Sequence, residues 1–240
     1  MHRNVTENPR VGCYYAAGAV VLAVASTAGW PWAAPLLWPA ISFSIVAIGY
    51  AGAGAGIYGK TNGRLPLRTR VIMGPVLLGQ VLSLRHYRRH CRPWDEAAPG
   101  LLMGRMLRKN EAEDLLACGV TAVLDLTAEF SQTDALRQTV YCNLPILDLT
   151  APNLEQTQAG VAFIREQAAE GVVYVHCKVG YSRTAALVGA YLMAAGHAGG
   201  AEEAIGRMQA ARPGMVIRPE AVEALRAFHD ALRRTDGRSP

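Results

Sequence analysis

Charged residues are missing from a long apolar run near the N-terminus. Residues 11–59 contain no Asp, Glu, Lys or Arg. This absence excludes an ordinary water-facing segment, and the run has room for two membrane helices of roughly 20 residues each. The break falls at Trp30-Pro31-Trp32, because proline ends helices and tryptophan favours the membrane interface. We therefore predict a transmembrane α-helical hairpin with helices over about 12–29 and 36–58.

Acidic residues are also scarce at this end of the chain. Residues 1–94 hold ten Lys or Arg and a single acid, Glu7, whereas residues 95–240 hold fourteen basic and eighteen acidic residues. The net charge of +5 therefore comes from the flanks of the apolar segments. Basic residues precede the first helix (Arg3 and Arg10) and follow the second, and the hairpin tip is uncharged. The positive-inside rule then predicts a multi-pass integral membrane protein whose C-terminal domain is cytoplasmic.

The apolar N-terminal third has alternative interpretations. A cleaved signal peptide over residues 1–28 is disfavoured, because its apolar stretch is unusually long and a second span follows. A nucleic-acid partner is not expected, since no aromatic residues alternate with the basic ones. Alternating Ala and Gly at 51–56 permit close helix approach, which predicts a homodimer contact through the small-residue face of the second helix. The other interpretation of these residues is light apolar filler.

A basic segment, residues 60–94, links the hairpin to the rest of the chain. Its apolar part, residues 71–84, is too short to span a bilayer and leads into a run of arginines and histidines. One interpretation is an interfacial segment whose basic end meets a membrane with anionic lipids. The other is a helix packed on the neighbouring domain. Both stay open at this point.

Cysteine is sparse and irregularly placed. The five cysteines have neither zinc-ligand spacing nor the pattern of a disulfide framework. The histidines show no ligand spacing either. We therefore expect no metal and no cofactor.

From residue 95 onward the sequence pattern is typical of a soluble α/β domain. Short apolar and β-branched runs predict strands at 101–103, 121–126, 140–144 and 171–176. Capped periodic segments predict helices at 110–118, 153–170, 183–195, 201–211 and 219–233. Strands alternating with helices predict a central sheet flanked by helices. We divide the chain into a two-helix membrane anchor (1–59), a basic interfacial linker (60–94) and an α/β domain (95–240).

The last predicted strand leads into a loop with a distinctive composition, His176-Cys177-Lys178-Val179-Gly180-Tyr181-Ser182-Arg183-Thr184. A loop that wraps back to a helix N-terminus points its N–H groups at one spot, which binds anions. Gly180 permits the tight turn, and Arg183 supplies a planar fork that matches two phosphate oxygens. Cys177 lies at the bottom of this positive bowl, which favours thiolate over thiol. We predict in-line attack by Cys177 on a phosphate ester through a phosphocysteine, with Thr184 donating a hydrogen bond to the sulfur.

The pattern His-Cys-x-x-Gly-x-x-Arg-Thr at 176–184 resembles the signature of the cysteine-based protein tyrosine phosphatase superfamily, and the short domain resembles its dual-specificity branch. The resemblance covers roughly residues 98–235. It implies that His176 lies beneath the loop and fixes its shape. It also implies a phosphate site formed by Lys178, Val179, Gly180, Tyr181, Ser182 and Arg183.

A proton donor is needed to expel an alkoxide from a phosphate ester. The resemblance implies an Asp on a loop roughly thirty residues before the cysteine. Asp148 fits, since it stands 29 residues before Cys177, after a strand and before a helix. Asp125, at another strand end, is the competitor, and Glu129 is a remote candidate. We predict Asp148 as the general acid.

The predicted substrate follows from Lys178 and the anchor. A lysine directly after the cysteine adds positive charge for substrates with more than one anionic group, and the superfamily's lipid phosphatases often have it. We predict a phospholipid headgroup phosphate, of phosphatidylglycerophosphate or a phosphoinositide, although a ring at Tyr181 disfavours a large inositol headgroup. The alternatives are a membrane-tethered dual-specificity protein phosphatase acting on Tyr, Ser or Thr of a phosphoprotein, and a non-catalytic phosphate-binding scaffold.

Overall fold

A five-stranded mixed sheet forms the centre of the C-terminal domain in the computed structural model, which describes residues 6–236. Its strands are β1 (Trp94–Ala98), β2 (Leu101–Arg105), β3 (Val120–Thr127), β4 (Val140–Ile146) and β5 (Val172–Cys177). They lie in the order β1-β2-β5-β3-β4, and only the β1–β2 pair is antiparallel. The central strand β5 is apolar and almost fully buried, as expected for a strand with helices on both faces.

Helices cover this sheet in the predicted alternation. They are α5 (Lys109–Ala117), α6 (Asp134–Arg137), α7 (Leu154–Ala168), α8 (Ser182–Ala194), α9 (Ala201–Ala211) and α10 (Pro219–Asp236). The fold class predicted from the sequence is confirmed. Strand β1 was not predicted, because its sequence, WDEAA, has no β-branched residue and no alternation. The short helix α6 was not predicted either.

The N-terminal hairpin consists of α1 (Pro9–Ala28), a 3₁₀ turn (Ala34–Leu36) and α2 (Leu37–Ile48). Pro9–Ala28 and Ala34–Tyr58 are each long and apolar enough to cross a membrane, with a mean hydropathy of 1.6. Only 17% and 28% of their most apolar windows are buried within the structure, which fits segments that face lipid. Arg3, one basic residue behind the predicted orientation, lies outside the described residues.

The second helix of the hairpin ends earlier than predicted. After Ile48 the chain forms a π-helical turn (Gly49–Ala53) and a 3₁₀ turn (Gly54–Tyr58). Gly52 has φ 136° and Gly54 has φ 66°, conformations that glycine adopts without strain and that interrupt an α-helix. The α-helix predicted over 36–58 is therefore wrong beyond residue 48. The alternating small residues at 51–56 form no regular helical face, and the homodimer contact assigned to them stays a prediction.

The linker folds into two helices, α3 (Leu67–Ile72) and α4 (Gly74–Tyr87). One side of α4 packs on the C-terminal domain, where Leu84 joins Met106 and Phe130 in a small buried cluster. The opposite side exposes an apolar row, Leu78, Val81 and Leu82. Residues 71–84 thus pack on the domain, as one interpretation held, and also present an apolar face outward.

A single apolar cluster joins the hairpin, the linker and the C-terminal domain. It contains Val46 from the hairpin, Tyr50 from the turn that follows it, Val76 from α4, and Ala128 and Leu147 from the domain. The division of the chain at residues 59 and 94 stays a prediction. The buried cluster contains residues from all three of the predicted parts. The hairpin therefore packs directly against the C-terminal domain.

Candidate active site

The loop between β5 and α8 lies at the floor of a cavity of about 550 Å³. Cys177 ends β5 and is 3% exposed, and Ser182 begins α8. Gly180 has φ 75°, and a Cβ atom there would clash with the backbone carbonyl of Gly104 on β2. Only glycine fits this close approach without moving the loop. The structure therefore has the strand–loop–helix arrangement that the sequence predicts for binding an anion.

Arg183 is held in place by a carboxylate that the sequence reasoning treated only as a remote acid candidate. Its guanidinium donates to both carboxylate oxygens of Glu129, at 2.8 and 3.1 Å, and to the carbonyl oxygen of Ile146 at 2.9 Å. Both side chains are almost fully buried. Burial opposes the charge on Arg183, but Glu129 and Asp148 outweigh it and raise the pKa of Arg183 well above its ordinary value. The guanidinium is thus charged and rigidly oriented.

Asp148 lies against the two cations of the site. Its Oδ1 accepts a hydrogen bond from Arg183 at 3.0 Å, and its Oδ2 accepts one from Lys178 at 3.1 Å. The side chain is 23% exposed and lines the cavity. Burial raises the pKa of Asp148, but Arg183 and Lys178 outweigh it, so the pKa lies below its ordinary value. The carboxylate therefore lies at the cavity surface, beside the position that an anion bound to Lys178 and Arg183 would occupy.

Lys178 points into the cavity and makes a second contact. Its Nζ donates to Oε1 of Gln80, on α4, at 2.6 Å. The residue is 6% exposed although it sits in a loop. The linker helix thus supplies a direct partner to a loop side chain, across 98 residues of sequence.

His176 is fully buried behind the loop. Its ring stacks on Tyr174 with centroids 5.3 Å apart, and its Nε2 accepts from the side-chain amide of Gln132 at 2.6 Å. Its Nδ1 is then the donor, 3.4 Å from the carbonyl oxygen of Cys177. Burial lowers the pKa of His176 below its ordinary value, so the ring is neutral. This arrangement agrees with the supporting position implied for the residue.

Asp125 lies deeper still and does not line the cavity. Its carboxylate accepts from Nζ of Lys60 at 2.7 Å and from the hydroxyl of Tyr141 at 2.7 Å, and it is 0% exposed. Burial raises its pKa, but the Lys60 ammonium outweighs this and, with the hydrogen bond from Tyr141, lowers the pKa of Asp125 to about 2. A carboxylate that is fully buried and already paired cannot reach a leaving group in the cavity.

The remaining loop residues have structural partners. Ser182 donates to the carbonyl oxygen of Val216 at 3.1 Å, and the carbonyl oxygen of Val179 accepts from Arg212 at 3.3 Å. Tyr181 also lines the cavity. The hydroxyl of Thr184 is buried and has no hydrogen-bond partner among residues 6–236, so the bond to sulfur predicted for it is not formed. Its role stays a prediction.

Two parts of the site were missed by sequence reasoning. The first is the pair of buried contacts to Arg183 and Asp125, made by Glu129 and Lys60. The second is the cavity wall, to which the hairpin contributes Tyr15 and Phe43 and α4 contributes Val76. No local signal marks them, because each contact joins distant parts of the chain. Within residues 6–236 no group of three or more His, Cys, Asp or Glu could hold a metal ion.

Comparison with known proteins places these residues in a family. The model for the dual specificity phosphatase catalytic domain matches residues 107–231. The chain is 30% identical over 175 residues to the human protein named phosphatidylglycerophosphatase and protein-tyrosine phosphatase 1, covering 68% of this chain and 87% of that one. It is 42% identical over 91 residues to the mouse protein of the same name, covering 37% of this chain and 47% of the mouse chain. The chain thus spans about half of that mouse relative.

Solved structures give the same assignment. The crystal structure of PTPMT1 in complex with PI(5)P matches with a TM-score of 0.55 and 29% identity, covering 60% of this chain and 99% of that one. The structure of human DUSP28 matches with a TM-score of 0.50 and 25% identity, covering 59% and 96%. The phosphatase domain model covers more than half of the chain and includes Asp148 and the whole 177–183 loop. The chain therefore belongs to the dual specificity phosphatase family of cysteine-based phosphatases.

Proposed function

We propose that this protein is a membrane-anchored phosphomonoester hydrolase whose nucleophile is Cys177. The observation that carries the proposal is the position of Cys177 at the floor of a cavity whose cations, Arg183 and Lys178, lie within 3.1 Å of the carboxylate of Asp148. Arg183 holds two phosphate oxygens, through its Nε and through the Nη2 hydrogen that is bonded to Asp148 in the free protein, while the Cys177 sulfur attacks phosphorus in line. The phosphorus–oxygen bond to the leaving group breaks as the phosphorus–sulfur bond forms.

Asp148 acts in both steps. Its carboxylic acid protonates the departing oxygen, and the resulting carboxylate takes a proton from the water that attacks the phosphocysteine. That attack releases inorganic phosphate and restores the thiolate. In the free protein Arg183 and Lys178 lower the pKa of Asp148. A bound phosphate dianion offsets both cations, so substrate binding itself raises the pKa of Asp148 and favours the protonated form.

The substrate we propose is a phospholipid headgroup phosphate, of phosphatidylglycerophosphate or a phosphoinositide. Two apolar segments of spanning length bring the site to a bilayer, and such tethering raises the local concentration of headgroups. The names of the human and mouse relatives include phosphatidylglycerophosphatase, and one related structure holds PI(5)P. The same names include protein-tyrosine phosphatase, which makes a membrane-tethered dual-specificity protein phosphatase the second candidate.

The membrane arrangement belongs to the proposal as well. We propose that both apolar segments span, with both ends of the chain on the cytoplasmic side, because basic residues such as Arg10 and Arg68 flank the hairpin and its tip is uncharged. Arg85 and Arg89, exposed at the end of α4, then face anionic lipids. A homodimer is a weaker prediction, since residues 51–56 form irregular turns.

The test uses the purified full chain in vesicles that contain phosphatidylglycerophosphate or a phosphatidylinositol monophosphate, with a phosphotyrosine peptide and p-nitrophenyl phosphate as soluble substrates. We expect release of phosphate from a lipid at a higher kcat/KM than from the peptide. Cys177→Ser is the matched control and should release none, because its hydroxyl is not ionised at neutral pH. Efficient cleavage of the peptide with no lipid turnover would replace the lipid proposal with the protein phosphatase. Turnover by Cys177→Ser would refute the thiolate mechanism.

A further inference from the structure

The cavity above Cys177 has walls of two different kinds. Part of its lining is charged, formed by the cations Lys178 and Arg183 and the carboxylate of Asp148. Another part of its lining is apolar and comes from the membrane hairpin and the linker helix: Tyr15, Phe43, Pro75 and Val76. Phe43 packs edge-on against Tyr15, with ring centroids 5.4 Å apart. A soluble phosphate ester needs only the polar half.

The face of α4 that lines the cavity is regular. Val76, Gly79, Gln80, Ser83 and Tyr87 all line it, and their spacing of three and four residues defines one side of a helix. The neighbouring row Leu78, Val81 and Leu82 is exposed and apolar. One wall of the cavity is therefore continuous with apolar surface on α4 and on the hairpin, where a bilayer and not water is the expected surrounding.

We propose that this apolar wall, here called the hairpin wall and consisting of Tyr15, Phe43, Pro75 and Val76, is a binding site for the glycerol backbone and first acyl segments of a phosphomonoester lipid. The lipid keeps its chains in the bilayer while its headgroup phosphate reaches the 177–183 loop. The inference rests on the proposed lipid phosphatase function and extends it. It gives the anchor a second role, because the anchor forms part of the substrate site as well as holding the domain at the membrane.

Two kinds of variant test the hairpin wall. Phe43→Ala removes an aromatic side chain from the wall, and Ile41→Ala, on the same helix but 53% exposed, is its control. Gly79→Leu adds a side chain on the cavity face of α4, where a Cβ atom meets nothing within 4 Å. Its control is Gly206→Leu on α9, where a Cβ also meets nothing within 4 Å. The filling variant keeps the test valid if Phe43→Ala fails to fold.

The assay compares two substrates with the same headgroup. One is dioleoyl phosphatidylglycerophosphate in phosphatidylcholine vesicles with the reconstituted full chain, and the other is its deacylated, water-soluble headgroup. We expect Phe43→Ala and Gly79→Leu to lower the ratio of kcat/KM for lipid to kcat/KM for headgroup about tenfold, as for loss of one buried apolar contact. Both controls should keep the wild-type ratio.

Several outcomes would overturn the inference. Equal losses on both substrates would make the wall residues structural. A ratio unchanged in both wall variants, or lowered as much in the controls, would remove the hairpin wall from the lipid site. A wild-type protein that acts on no lipid but cleaves phosphotyrosine peptides would overturn the proposed function itself, together with this inference.

A separate set of contacts joins the residues that flank the hairpin to the loop that carries Asp148. The hydroxyl of Tyr50 donates to the carbonyl oxygen of Asp148 at 2.7 Å, and the side-chain amide of Asn8 donates to the carbonyl oxygen of Leu149 at 3.0 Å. Leu149 has φ 60°, a conformation that a leucine adopts only when its surroundings hold it there. Tyr50 is 4% exposed, so its bond is shielded from water.

We infer that Tyr50 is a positioning residue for the general acid. It acts through the backbone of Asp148 and keeps the carboxyl group over the leaving oxygen. Tyr50→Phe removes only the hydroxyl and leaves the ring in the apolar cluster. The control is Tyr58→Phe, in the same cluster, because Tyr58 donates no hydrogen bond to residues 147–150 within the described part of the chain.

The readout is the dependence of kcat/KM on the leaving group. A misplaced acid slows esters with poor leaving groups more than p-nitrophenyl phosphate, whose leaving group needs no proton. We expect Tyr50→Phe to lower the ratio of the two rates about tenfold and Tyr58→Phe to leave it unchanged. A lower melting temperature with an unchanged ratio would make Tyr50 merely structural. If Asp148→Asn itself left the ratio unchanged, the acid assignment would fail first.

Discussion

The buried ion pair between Lys60 and Asp125 allows a sharp prediction about stability. The side chain of Lys60 is 1% exposed and that of Asp125 is 0% exposed, with Nζ and Oδ2 2.7 Å apart. The Lys60 ammonium also donates to the carbonyl oxygen and the hydroxyl of Thr127, at 2.8 and 3.0 Å. Lys60→Met would leave the Asp125 carboxylate buried without its cation. Removing one partner of such a pair costs about 3–5 kcal/mol.

The measurement is thermal unfolding of the detergent-purified full chain at pH 7. A loss of that size corresponds to a fall in Tm of roughly 6–20 °C for a domain of this size. Lys109→Met is the matched control. The Lys109 side chain is 86% exposed, and its Nζ lies 3.9 Å from the carboxylate of Glu113, so this ion pair is weak. We expect the control to change the free energy of unfolding by less than about 0.5 kcal/mol.

The pH dependence provides an independent check with a defined sign. Folding lowers the pKa of Asp125 to about 2, from about 3.9 in the unfolded chain. This contributes stability that is complete above about pH 4 and lost as the pH falls toward 2. Without Lys60, burial raises the pKa of Asp125, so the variant gains stability as the pH falls through that raised value. The difference in the free energy of unfolding between the wild type and Lys60→Met should therefore become smaller from pH 7 to pH 4. A constant difference, or a loss below about 1 kcal/mol at pH 7, would refute this reasoning.

Further predictions concern the loop, the acid and the membrane topology. Asp148→Asn should lower kcat for alkyl phosphates by roughly 10²–10⁴ and for p-nitrophenyl phosphate much less; steady-state kinetics on both esters would expose a wrong assignment if Asp125→Asn behaved this way instead. Lys178→Met should move the basic limb of the kcat/KM profile for an alkyl phosphate to higher pH, because Lys178 lowers the pKa of Asp148; an unmoved limb would contradict it. Gly180→Ala should lower kcat at least about tenfold, since its Cβ clashes with Gly104. Its control is Gly196→Ala, with φ 73° and open space around the Cβ, and an equal loss there would mean that strain alone matters. A C-terminal alkaline phosphatase fusion should stay inactive in a bacterial host, and strong activity would reverse the proposed orientation.

Local sequence was enough to predict the parts of the protein that neighbouring residues build. Strand β5, the loop after it and helix α8 follow one another without a break, so Cys177, Gly180 and Arg183 could be assigned from their order alone. The two apolar segments could also be predicted from the sequence, because the absence of charged residues from a run is a local property. Local reasoning failed to predict where the second apolar helix ends. Gly52 interrupts it there, and an Ala-Gly repeat is compatible with both helical and non-helical backbone.

The tertiary structure alone decided which residues support the site and what surrounds it. Glu129 reaches Arg183 across 54 residues, Lys60 reaches Asp125 across 65 residues, and Tyr50 reaches Asp148 across 98 residues. No periodicity encodes such pairings, because they depend on how separate elements pack once each has formed. For the same reason the sequence could predict a membrane anchor but could not place Phe43 beside the cavity above Cys177. Its position follows from the buried apolar cluster that joins the hairpin to the domain.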